Sequence, residues 1–77
     1  MKAKDILEVW KERIVKESKT GDRVKACRNV GFTYTTHQNA MKKIKLEDLT
    51  DGELSVLAAN IAILDERKAK QEEYAIN

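Results

Sequence analysis

Apolar residues recur at helical spacing in four separate stretches of this chain. In AKDILEVWKERIVKES, residues 3–18, Ile6, Leu7, Trp10 and Ile14 fall three and four apart, and Val9 widens the stripe. The following KTGD interrupts it: Gly21 predicts a helix stop, and Thr20 or Asp22 a cap for what comes next. DRVKACRNV, residues 22–30, sets Val24, Cys27 and Val30 three apart with Ala26 beside them, and Gly31 is expected to end this second helix. TTHQNAMKKIKL, residues 35–46, places His37, Ala40, Met41 and Ile44 on one face of a third helix, with Thr33, Thr35 or Thr36 as its cap. The last helix is expected from about 50 to 73. Thr50 and Glu53 form a capping box ahead of its apolar run. It carries two stripes, one of Leu54, Leu57, Ala58, Ile61 and Leu64, the other of Val56, Ala59 and Ile63. DERKAKQEEY, residues 65–74, has the composition of a solvated, charged end.

A rival pattern exists in the middle. VGFTYTT and KKIKLED read as two strands around HQNA, since the first is rich in aromatic and β-branched residues. Gly31 would weaken that strand, and the four-position stripe from His37 to Ile44 would become accidental. The expected fold is therefore all-α. It is a compact bundle of about four helices in one domain spanning residues 1–77, with the longest helix last.

Composition supports helices and narrows the chemistry. Pro is absent and Gly occurs three times. A chain of 77 residues builds a modest core of marginal stability, so surface buried against a second copy would help. A single cysteine, Cys27, excludes an internal disulfide framework and a Cys-cluster zinc site. His37 is the only histidine, so a metal would need carboxylates for nearly all its ligands, and no cofactor is expected. No apolar run approaches the ~20 residues of a membrane span. MKAKDILEVW meets charge too early for a secretory leader, so the cytoplasm is the expected compartment. The net charge of +2 conceals an asymmetry. Residues 1–45 hold twelve Lys/Arg against five Asp/Glu, and residues 46–77 hold three against eight. A basic front half suits a polyanionic partner.

A short helix, a glycine turn and a second helix need small residues where the helices cross and a residue tolerant of left-handed angles at the turn. Ala26, Cys27 and Gly31 meet those needs; Phe32 is expected to tuck inward, and Val30 and Ala40 to complete the miniature core. Residues 23–42, RVKACRNVGFTYTTHQNAMK, resemble the helix-turn-helix motif of bacterial and phage DNA-binding regulators. With its flanking helices the chain is similar to small phage repressors of the Cro type and to excisionase-like or plasmid regulators. One position departs from that pattern: His37 stands where Val or Ile is usual, and a neutral histidine fits there if its nitrogens find partners.

The resemblance implies that the third helix enters the DNA major groove. Thr33, Tyr34, Thr35, Gln38, Asn39 and Lys42 then fall at contact positions, with Lys43 meeting phosphate or guanine and Arg23, Lys25 and Arg28 near the backbone. Gln and Asn suit the adenine edge, and Thr suits the thymine methyl. Such proteins commonly bind as dimers. The stripe of Val56, Ala59 and Ile63 is the expected homodimer face. The alternative is a small helical interaction or assembly protein of phage or plasmid origin that works through its last helix. Enzymatic activity is not expected, because no nucleophile–base pair or phosphate loop is evident. Cys27 and Trp10 read as packing residues, and His37 as structural or groove-facing.

Overall fold

Asp5 opens the first helix. Its backbone is extended, and its Oδ1 accepts the Leu7 N–H at 2.8 Å, satisfying one donor that a helix start leaves free. The computed structural model describes residues 5–76. Helix α1 spans Ile6–Glu17, α2 Asp22–Val30, α3 Tyr34–Lys42 and α4 Asp51–Ile76, with a 3₁₀ turn at Leu46–Asp48. There is no strand among the described residues, and neither 30–36 nor 42–48 is extended throughout. The capping box is formed: Thr50 N–H donates to Glu53 Oε1 at 2.9 Å, and Glu53 N–H donates to Thr50 Oγ1 at 3.2 Å.

The spine of the molecule is α4. At 26 residues it is roughly 39 Å long. Helices α1, α2 and α3 each pack on it, and α2 also packs on α3. Leu7, Ile14, Cys27, Ala40, Val56, Leu57, Ile61 and Leu64 form the buried core, with Trp10, Val30, Met41, Leu46 and Leu49 packed against it.

Five sequence expectations are corrected here. Gly21 does not stop α1, which ends at Glu17 with Ser18 as its cap; Gly21 itself is the left-handed residue at the start of α2, and neither Thr20 nor Asp22 caps that helix. Val56 does not lie on a second, free stripe of α4; it is fully buried in the core. Leu54 and Ala58, placed inward by the pattern, are exposed. The buried arc of α4 is Val56, Leu57, Asn60, Ile61 and Leu64, a single stripe that includes a polar residue. Ile6 and Val24 were expected on the inner faces of α1 and α2 and are exposed as well. Finally, α3 stops at Lys42, so Ile44 lies beyond it, 78 % exposed. The chain leaves the helix extended at Lys43, whose carbonyl accepts Lys11 Nζ at 2.7 Å. Leu46 and Leu49 around the 3₁₀ turn then take the core position that Ile44 was expected to fill.

The corner between α1 and α2 is tied to α4. Asp22 accepts Arg67 Nη2 on both carboxylate oxygens, at 2.7 and 2.8 Å, and the Lys19 N–H at 2.7 Å. Arg67 Nη1 also donates to the Glu17 carbonyl at 3.3 Å. Burial pushes the Asp22 carboxyl up, but the Lys19 N–H and the Arg67 guanidinium outweigh it and hold the group below its ordinary value.

Candidate nucleic-acid interface

The turn between α2 and α3 is built on Gly31, at φ +78°. Its N–H donates to the Arg28 carbonyl at 3.3 Å, and the next N–H, of Phe32, donates to Cys27 at 2.9 Å. These are the paired bonds of a Schellman motif. A Cβ at Gly31 would meet nothing within 4 Å, so the requirement for glycine is conformational alone. Thr33 occupies the capping position of α3, but its side chain bonds nothing there; its carbonyl accepts the Thr36 N–H at 3.1 Å. Phe32 does not tuck into the space between α2 and α3. It is 43 % exposed, and its ring lies over the first turn of α4. Gly52 leaves room for it: a Cβ there would come within 2.7 Å of Phe32 Cε1. The aromatic thus braces the turn against α4.

Inward from the turn, Ala26, Cys27, His37 and Ala40 are buried, as the spacing around Gly31 predicts. Burial pushes the Cys27 thiol up, which leaves it neutral and suited to packing. His37 Nε2 lies 2.8 Å from Asn60 Oδ1, and Asn60 Nδ2 donates to Ser18 Oγ at 3.1 Å. Because the amide nitrogen is spent on Ser18, the amide oxygen faces His37, and Nε2 is the donor of that pair. Nδ1 is buried without a partner. Tyr34 stacks beside the imidazole, with ring centroids 6.2 Å apart. Neither Asn60 nor Ser18 belongs to the apolar pattern that marks this site in the sequence. The available signal was spacing, since Asn60 stands four residues after Val56 and four before Leu64.

This network makes stability depend on pH. Burial, together with the charge of Arg23, lowers the affinity of His37 for a proton more than the Asn60 hydrogen bond raises it. The unfolded chain therefore binds more protons than the native one below the ordinary value of 6.5. Stability is full above that pH and falls as pH drops through it. The urea midpoint is expected to be lower at pH 5.5 than at pH 7.5, and His37→Gln is expected to remove most of that difference. An unchanged difference in the variant would assign the dependence to other groups.

Outward, most of the predicted contact residues are exposed. Thr33, Tyr34, Thr35, Gln38, Asn39 and Lys42 are exposed along α3 and its cap. Lys25 and Arg28 are exposed on α2, and Arg23 is half-buried. Lys43 departs from the group: its Nζ turns to the Asp48 carbonyl at 3.4 Å and to Glu53 Oε1 at 3.7 Å, at the start of α4. Among the described residues, Gln38, Asn39, Lys42, Lys25 and Arg28 enter no side-chain hydrogen bond or ion pair. From residue 23 to residue 46 the chain holds six Lys/Arg and no Asp or Glu. Positive charge is unbalanced along this stretch of sequence, while in space Lys43 meets Glu53 and Lys25 shares a cleft with Glu66 of α4.

No described helix is long and apolar enough to cross a membrane, and no group of three or more His, Cys, Asp or Glu among the described residues is placed to hold a metal ion. No protein-family model, curated protein or solved structure matches the chain.

Proposed function

We propose that the protein binds double-stranded DNA sequence-specifically, with α3 in the major groove, as a small transcriptional regulator. The observation that carries this reading is the outer face of α3. It presents unpaired Gln38, Asn39 and Lys42 over an acid-free stretch, and it is held at its angle by the left-handed turn at Gly31. Free amide side chains match the donor–acceptor pattern of adenine in the major groove, and the neighbouring cations match phosphate. The resemblance of residues 23–42 to helix-turn-helix regulators points the same way.

Two half-sites one helical turn apart call for a homodimer. With Val56 committed to the core, the surface of α4 available for a second copy is its far end, where residues 68–75 are all exposed.

Selection from random duplexes at moderate salt tests the function directly. Enrichment of a defined site is expected, with affinity falling steeply as salt rises. Gln38→Ala combined with Asn39→Ala is expected to narrow the preference for that site over random DNA by about 10- to 100-fold. Lys42→Ala is expected to weaken both equally and to reduce the salt slope by about 1. Absence of any enriched site, with anisotropy unchanged at low salt, would overturn the proposal and favour a protein partner for α4.

A further inference from the structure

Between the α1–α2 corner and the first turn of α3 lies an open cleft of about 350 Å³, lined in part by Ser18, Lys19, Thr20, Arg23, Val24 and Tyr34. We infer that this cleft binds a phosphate group, with Lys19 and Arg23 supplying the charge and the hydroxyls of Ser18, Thr20 and Tyr34 supplying donors. It goes beyond the reading of α3 as a base-reading helix and stands without it.

Three observations carry the inference. First, no Asp or Glu lines the cleft. The carboxylate that lies between the two cations in sequence, Asp22, is already engaged by Arg67 and by the Lys19 N–H. Neither the Lys19 ammonium nor the Arg23 guanidinium has an ion pair among the described residues. Two cations whose charge is uncompensated are suited to an anion.

Second, the Ser18 hydroxyl oxygen already accepts from Asn60 Nδ2 at 3.1 Å, so its proton is left to donate elsewhere. Third, the walls are held in place before any ligand arrives. The Asp22–Arg67 fork, the Arg67 bond to the Glu17 carbonyl and the left-handed Gly21 at φ +91° fix the corner. Tyr34 is held against the buried His37 on the opposite wall. A preformed site spends little binding free energy on ordering itself. A diester of a duplex backbone and a monoester on a small solute present the same chemistry to the cleft.

The test is amide chemical-shift titration of the labelled protein with inorganic phosphate, against chloride at matched ionic strength. Saturable shifts are expected at Lys19, Thr20, Arg23, Val24 and Tyr34, in the millimolar range. Arg23→Gln and, separately, the exposed Lys19→Gln are each expected to weaken phosphate at least tenfold. Lys70→Gln, on α4 and outside the cleft, is expected to leave it unchanged. Bound phosphate is also expected to raise the titration midpoint of His37, because it offsets the Arg23 charge that lowers it. Equal shifts with chloride, or equal losses in the Arg23 and Lys70 variants, would overturn the assignment.

Adding a selected duplex separates the sources. Displacement of phosphate from these amides identifies a backbone diester, and retention identifies a free solute. The Gln38→Ala, Asn39→Ala variant reads the base-contacting proposal independently. Loss of site preference there with phosphate binding intact leaves the cleft standing, and a silent variant with phosphate bound removes only the reading of α3.

Discussion

Val56→Asp is expected to leave the chain unfolded at room temperature. Val56 is fully buried at the centre of the core, beside Leu57 and Ile61 of its own helix. An unpaired carboxylate there either stays charged, at a cost of several kcal/mol, or takes up a proton and still lacks a hydrogen-bond partner. A domain of this length holds only roughly 4–12 kcal/mol in total. Loss of the helical circular dichroism signal, or a urea midpoint near zero, is the expected reading. Ile63→Asp, at a half-buried position two turns along α4, is expected to cost about 1 kcal/mol or less. The pair distinguishes a core position from an interface position. If Val56→Asp remained folded and lost only self-association, the placement of Val56 in the core would be wrong.

Asn60→Ala has the second-largest expected effect, a loss of about 3 kcal/mol, which is roughly 12–24 °C in Tm for a domain of this size. Two costs combine. The His37 Nε2–H loses its acceptor in a site with no water access, and the missing amide leaves a void between α3 and α4. Because the cost arises from a group left unpaired, removing both partners costs less than removing one. Asn60→Leu with His37→Phe is expected to recover most of the loss. Asn60→Asp gives the sharper outcome. A carboxylate facing Nε2 favours the imidazolium, so the native state would then bind the extra proton. The pH dependence of stability between 5.5 and 7.5 is expected to change sign, with the variant more stable at the acid end. Urea midpoints at the two pH values check it; a variant that kept the parent's sign would show that Asn60 does not control His37.

The legibility of this protein from its residues varied with how local the determining physics was. The helix boundaries around Gly31, the capping box at Thr50 and Glu53, and the inward set Ala26, Cys27, His37 and Ala40 follow from interactions within a few residues of each other. The outward set on α3 follows from the same periodicity, since a helix with one face buried must expose the other. The faces of α4 did not follow. Hydropathy skips Asn60, and without it the remaining apolar residues divide into two stripes; with it they form one. A polar residue belongs to a core stripe only when a partner elsewhere satisfies it, and His37 and Ser18 lie 23 and 42 residues away in sequence.

Phe32 and Ile44 carry the same lesson in reverse. Both are apolar and were assigned inward positions, but the room for Phe32 depends on the missing side chain of Gly52, and the site expected for Ile44 is taken by Leu46 and Leu49. The charge pattern was plain from the residues, whereas the release of Lys19 and Arg23 from any counter-ion was not, because it depends on Arg67 reaching across from α4 to claim Asp22. By itself the sequence determined an all-helical chain, the capping box of its last helix, its glycine turn and a basic front half, because backbone preference and short-range spacing settle those. Only the tertiary structure decided which arc of α4 is buried, where the aromatic of the turn rests and which charges stay unpaired, because each depends on which side chain, distant in sequence, occupies a shared space.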